Sequence, residues 1–403
     1  MNPKAIRLAE SLRTELLDNI LPFWITRTQD EKNGGFYGQV TFDGTRVPDA
    51  PKGAVLNTRI LWTFSAAYRV FKRPEYLEMA TRARDYVLDR FIDRDYGGIY
   101  WSLDHEGHPL DTKKQSYAIG FAIYGLSEYH RATGDERSLR AAIELFRSLE
   151  EHVHDPVNGG YFEAFGRDWS PIEDMRLSEK DENLSKTMNT HLHIIEPYTN
   201  LYRVWHDPLL GQRLRELLSI FAETIVDPET GHLGLFFDDA WNLQSNTVSF
   251  GHDIEASWLL HETALVLGDH DTLQRIEPLA KKIAQAAAEG LRPDGSMIYE
   301  FDRTTGRYDH DRHWWVQAET VVGYFNLYHH FGDETALERA VEAWQYIDAH
   351  FSLRPAGEWL WSIHGDGRVN TEGDRAGFWK CPYHNSRMCL ELIGRTGIPV
   401  GGK

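Results

Sequence analysis

The sequence predicts an all-α fold, an (α/α)6 barrel of six helix-pair repeats with short β-hairpins at one end. Three observations lead there: a glycine turn recurs six times, two kinds of helix alternate between the turns, and polar residues out of place on buried helices share one phase of the repeat.

Each turn precedes an apolar or aromatic strand. The copies are Asn33-Gly34-Gly35 before Phe36 to Val40, Tyr96-Gly97-Gly98 before Ile99 to Leu103, and Asn158-Gly159-Gly160 before Tyr161 to Phe165. They continue as Gly231 and Gly234 around Leu233 to Phe237, Asp294-Gly295 before Met297 to Phe301, and Gly357 before Trp359 to Ile363. The units are spaced about 62 to 72 residues apart. Open α-solenoids of the protein-binding kind are the alternative, but their repeats run about 33 to 47 residues and lack a hairpin.

Between the turns, one kind of helix is apolar nearly all round, as in Ile60 to Val70, Tyr117 to Leu126 and Ile254 to Leu267. The other is striped, as in Leu77 to Phe91 and Leu139 to Leu149. Helices apolar all round must be covered on both sides, whereas striped ones can face water. An inner ring wrapped by an outer ring satisfies both, so residues 1–403 read as one domain.

Composition sets the outer limits. With 41% hydrophobic and 12% aromatic residues the chain can bury a large core, and its net charge of −18 argues against nucleic acid or an anionic membrane as partner. Cys381 and Cys389 read as free buried or half-buried thiols. Met1 to Ile20 reads as an amphipathic helix and not a signal peptide, and no apolar run is long enough to span a membrane. The expectation is a cytoplasmic monomer or homodimer acting on a small molecule.

The polar residues of the third observation lie near the start of each inner helix: Arg59, Tyr117, Asn189 with His193, His252 with Glu255, Trp314 with Trp315, and Trp379 with His384. Residues at one phase of a closed repeat converge, so these should line a common cavity at the hairpin end. Asn189, His193 and Glu196 share one helix face, whereas His191 lies about 200° from Asn189 and should point elsewhere. His252 and Glu255, three apart, are expected to form an orienting hydrogen bond. His384 follows Pro382, which fits a first helical turn, so the helix N-terminus should keep its imidazole neutral. Arg387, one turn on, should bind a substrate oxygen or cap the site. Trp315 shares a face with Glu319 and is the better inward candidate of its pair, and cavity-facing tryptophans suit sugar rings. The polar stretch Gly166 to Lys186 is long enough for a functional lid, or is a surface excursion.

Five segments carry a family likeness: Asn57 to Trp62, Met188 to His193, Phe250 to Glu255, Trp314 to Glu319 and Trp379 to Asn385. In order and spacing, along nearly the whole chain, they resemble the acylglucosamine 2-epimerase superfamily. Asp253 and the Pro382-Tyr383-His384-Asn385 run are most similar to its cellobiose 2-epimerase branch. The resemblance implies epimerisation of the reducing-end glucose of cellobiose or lactose to mannose, with no metal or nucleotide cofactor. It also implies a site of Arg59, Tyr117, Asn189, His193, His252, Glu255, Trp315, Trp379 and His384. Monosaccharide epimerases and isomerases acting on mannose, glucose or N-acylglucosamine share the skeleton.

The residues suit that chemistry on their own terms. Once the ring opens, the C1 carbonyl acidifies the C2 hydrogen, and inversion needs a base on each face; histidine has the fitting pKa. The expected roles are His384 to remove the C2 proton, His252 to return it, His193 to assist ring opening and Arg59 to stabilise the oxyanion. Tyr117, Asn189, Glu255, Trp315, Glu319 and Trp379 are expected to bind substrate. Three rivals stand beside this reading: a glycoside hydrolase using Glu255 and Glu319, a non-catalytic sugar-binding protein, and a metal site of His193, His252, Glu255 and His384.

Overall fold

In a computed structural model the described residues are 2–400; Met1 and residues 401–403, which the expected domain includes, lie outside them. The chain begins with α1 (Pro3–Glu15) and α2 (Leu21–Arg27), joined through a π-helical turn. Then inner and outer helices alternate: α3 (Ala54–Phe71), α4 (Pro74–Tyr86), α5 (Ser116–Thr133), α6 (Glu136–His152), α7 (Met188–Tyr202), α8 (Pro208–Ile220), α9 (Phe250–Leu267), α10 (His270–Ala287), α11 (Trp314–Phe331), α12 (Glu334–His350) and α13 (Tyr383–Thr396). The odd helices from α3 to α13 are buried over most of their length, and each packs on the next odd helix, with α13 returning to α3. The ring is closed, which bears out the (α/α)6 barrel. The sixth outer partner comes from the other end of the chain, because α1 packs on α13. Among the described residues no helix is long and apolar enough to cross a membrane.

The tight inner-to-outer links have a local cause. Helices α5, α9 and α11 end on Gly134, Gly268 and Gly332, each in the left-handed region that spares glycine a Cβ clash. The next residue in each case, Asp135, Asp269 or Asp333, caps the following outer helix with its carboxylate. Each such cap contributes about 1 kcal/mol.

The glycine turns recur as expected, but they are smaller than hairpins of extended strands. Each is closed by one isolated bridge: Gln29 to Phe36, Ile92 to Ile99, His154 to Tyr161, Val226 to Leu233, Leu291 to Met297 and Ser352 to Trp359. The true strands are two or three residues long; most pair between neighbouring repeats, as Lys114–Gln115 does with Ala164–Phe165, and two pairs are local hairpins, Ser102–Leu103 with Pro109–Asp111 and Glu300–Asp302 with Arg307–Asp309. Buried ion pairs fasten this end: Lys52 with Asp30, Lys114 with Asp93, Lys186 with Asp155 and Lys380 with Glu358, at 2.6 to 2.8 Å. Because the inner helices all start here, their N-terminal dipoles favour negative charge at this end of the barrel.

Candidate active site

A cavity of about 620 Å³ opens at the hairpin end, lined in two tiers that follow from helical register. Tyr117, Asn189, Trp315 and His384 are each the second residue of their inner helix, and His252 the third. One turn deeper, Arg59, His193, Glu255 and Glu319 are each the sixth residue. All of these except Glu319 line the cavity, together with Trp379. Gly120 lets the tiers close up: a Cβ there would sit 2.4 Å from the His193 carbonyl oxygen. His191 points away, between the Tyr161 N–H and the Thr187 carbonyl, as its helical phase requires.

Three cavity histidines, His193, His252 and His384, are fixed through Nδ1, leaving Nε2 for the cavity. His384 Nδ1 lies 2.7 Å from Glu319 Oε1, and His193 Nδ1 lies 3.0 Å from Glu196 Oε2. His252 departs from expectation. Its Nδ1 pairs with Ser249 Oγ at 2.8 Å, while Glu255 turns towards the barrel axis and Arg387. A guanidinium is a far stronger partner for that carboxyl than a neutral imidazole. Burial pushes His384 down to about 3 despite Glu319, and burial with the neighbouring His193 and His384 pushes His252 to about 3. The imidazoles are neutral at pH 7. His252 and His384 both pack against Trp315, with ring centroids 4.7 and 5.7 Å from the indole.

Beneath the histidines lies a layer that the sequence reading did not foresee. Arg387, expected to bind a substrate oxygen or cap the site, is wholly buried and does not line the cavity. It bonds Glu196 and the Tyr383 hydroxyl, and its Nη2 donates to Glu255 Oε1 at 2.6 Å and Glu319 Oε1 at 2.7 Å. Glu319 also accepts from Trp258 Nε1 at 2.9 Å, so its expected contact with substrate is replaced by a hold on His384. Although burial raises it, Arg387 and His384 outweigh that and keep Glu319 ionised. Two rival readings lose their footing here. Carboxyls converging on one guanidinium nitrogen cannot flank a glycosidic bond, which needs a separation of about 5 Å or more with the bond between them. Of the expected metal set His193, His252, Glu255 and His384, only Glu255 and His384 share a metal-sized cluster among the described residues, together with Glu319 and with donor atoms within 4.8 Å of one another, and there the Arg387 guanidinium already supplies a cation.

Between the tiers, Arg59 Nη2 lies 2.6 Å from the Tyr117 hydroxyl, and its guanidinium sits 4.1 Å over the Phe121 ring. The Asn189 Oδ1 has no partner. Residues Arg176 to Glu182, from the long polar stretch, form part of the cavity wall, with Leu177 tucked inward. Trp361, tilted against Trp314 at 4.6 Å, and Tyr299, stacked 4.1 Å from His313, complete an aromatic mouth that the sequence reading missed. Glu163 was missed too: burial raises its carboxyl to about 8, and it accepts from Thr190 and the Thr187 N–H.

These shifts predict how stability follows pH. Burial depresses His252, His330 and His384 to about 3, and His191, His261 and His313 to about 4. Their unfolded counterparts bind protons below about 6.5, so this contribution is complete above that pH and falls as pH drops towards 3. Glu163 and Glu300, raised by burial to about 8 and 7, act in the opposite sense with Glu255, Asp181, Asp253, Glu262 and Asp374, but His154, His193 and His329 are lowered too, so among the described residues nine histidines stand against seven carboxyls. Melting followed by circular dichroism should give a lower Tm at pH 5 than at pH 7; an equal or higher Tm at pH 5 contradicts the account.

Comparison with known proteins fits this geometry. The family model described as N-acylglucosamine 2-epimerase (GlcNAc 2-epimerase) matches residues 35–386. A protein of Bacteroides fragilis named cellobiose 2-epimerase is 58% identical over 387 residues, 96% of this chain and 99% of its own. Another of that name from Ruminococcus albus is 41% identical over 394 residues, 98% of this chain and 100% of its own. The solved structure of cellobiose 2-epimerase from Bacillus thermoamylovorans B4167 matches with a TM-score of 0.92 at 39% identity, over 97% of this chain and 100% of that one.

Proposed function

This chain belongs to the N-acylglucosamine 2-epimerase family and is an isomerase; from that premise we propose that it epimerises C2 of the reducing-end sugar of a β-1,4-linked disaccharide, cellobiose or lactose. The observation that carries the reading is the pair of neutral imidazoles, His252 and His384, lining one cavity and both packed against Trp315. His384, backed by Glu319, removes the C2 proton of the open-chain aldose. The resulting enediolate is anionic, lies at the inner-helix N-termini and beside Arg59, and raises the proton affinity of the imidazole facing it. His252, its proton affinity raised in this way, takes a proton from solvent and delivers it to the opposite face of C2, while His384 returns the proton it removed to solvent. The substrate with mannose configuration reverses the two roles.

Identity to cellobiose 2-epimerases and the size of the cavity, which extends past the histidines to the aromatic mouth and the 176–182 wall, favour a disaccharide over a single sugar. The reaction moves protons without net redox change, so it calls for no redox cofactor. Turnover of cellobiose, lactose, mannose and N-acetylglucosamine, followed by chromatography, tests the choice. The disaccharides should have the highest kcat/KM, and a preference for either monosaccharide contradicts it. Trp379→Ala, which removes a cavity aromatic above the chemistry, should raise KM for cellobiose roughly tenfold, equivalent to about 1.4 kcal/mol, with kcat little changed. Steady-state kinetics checks this.

A further inference from the structure

Glu255 is buried and lines the cavity, yet its Oε2 has no hydrogen-bond partner. Its Oε1 shares the Arg387 Nη2 with Glu319. Two carboxyls on one donor in a dry site do not both ionise. Glu319 has His384 and Trp258 as further donors and is the ionised member, which leaves the proton on Glu255. Since Oε1 accepts from Arg387, that proton sits on Oε2. Burial first, and the neighbouring Glu319 second, push the Glu255 carboxyl well above the usual carboxylate range. The adjacent histidine is complementary. Glu196, tied to Arg387 and the Tyr383 hydroxyl, remains an anion, so His193 carries its proton on Nδ1 and offers a lone pair at Nε2. Nε2 lies 3.9 Å from Glu255 Oε2, too far for a direct bond but suited to two oxygens on one carbon.

Resting on the epimerase reading, we propose that Glu255 is the acid that opens the pyranose ring, working with His193 as base. The anomeric O1–H gives its proton to His193 Nε2, the C1–O5 bond breaks with its electron pair going to O5, and O5 takes the proton from Glu255 Oε2. C1 becomes the aldehyde that acidifies C2. The step leaves an imidazolium beside a carboxylate, with the net charge of the pair unchanged. Ring closure on the epimer runs the same transfers backwards and restores both groups. Glu255 thus separates ring opening from the C2 chemistry of His252 and His384.

Anomer exchange measures ring opening without C2 chemistry. With cellobiose in heavy water, saturation transfer reports α to β exchange and the C2 signal reports deuterium uptake. The wild type should accelerate anomer exchange above the solvent rate. Glu255→Gln, which keeps the bond to Arg387 but has no acidic proton, should lose about 100-fold or more of that acceleration together with C2 exchange. His384→Asn should lose C2 exchange while still opening the ring faster than solvent does. Should the Gln variant fail to fold by circular dichroism, His193→Gln carries the same expectation for anomer exchange. Glu255→Gln retaining wild-type anomer exchange within about threefold would overturn the proposal, as would a wild type that epimerises without accelerating anomer exchange. A wild type with no C2 exchange at all is a different result, and removes the epimerase reading itself.

Discussion

Replacing His384 with asparagine should abolish epimerisation of cellobiose, with kcat falling on the order of 10³-fold or more, while the protein still binds the disaccharide. Asparagine can keep a hydrogen bond to Glu319 Oε1 but offers no basic nitrogen to the cavity. The neutral state of His384 makes the effect large: pushed to about 3 by burial, its imidazole is deprotonated at every physiological pH, and neither Tyr117 nor Asn189 could substitute as a base. Turnover and isothermal titration on the same preparation separate loss of chemistry from loss of binding. A variant retaining more than about a tenth of wild-type kcat would show that the C2 base is another group.

Arg387→Met should be the most destabilising single change at the site. The guanidinium bonds Glu196, Glu255 and Glu319, all buried, and lies 4.7 Å over the Trp258 ring. Methionine leaves Glu196 and Glu319 charged and uncompensated, a situation that costs about 3–5 kcal/mol when one partner of a buried pair is removed. His384 and His193 lose the groups that orient them, so activity should fall with stability. Urea denaturation would show the midpoint moving down by that equivalent; a midpoint unchanged within error would mean that the carboxyls neutralise at little cost.

The legible part of the fold was whatever repeats locally. Glycine turns at Gly34, Gly97 and Gly159, and helices apolar all round, carry their cause in adjacent residues, so the six-pair ring could be counted. The buried pairs of Lys52, Lys114, Lys186 and Lys380 could not, because each lysine meets its partner about 20 or 30 residues away across a turn. The same division holds at the site. Arg59, Tyr117, Asn189, His193, His252 and His384 share a repeat phase, and the structure gathers them round one cavity. Glu255 and Glu319 were found, but their partners were misread. Spacing of three on a helix suggested His252 to Glu255, whereas Arg387, 132 residues on, takes the carboxyl. A wholly buried arginine is intelligible only once three carboxyls are seen around it. Glu196 was placed on the His193 face and Tyr383 in the family run, but neither tie to Arg387 was visible; Trp258 belongs to that layer and has no local signature.

The most direct test of the account is proton NMR of the enzyme with cellobiose in heavy water. It predicts signals of the mannose-configured disaccharide, with deuterium at C2 of its reducing-end sugar and no free glucose. Protium retained at C2, or release of glucose, would contradict it.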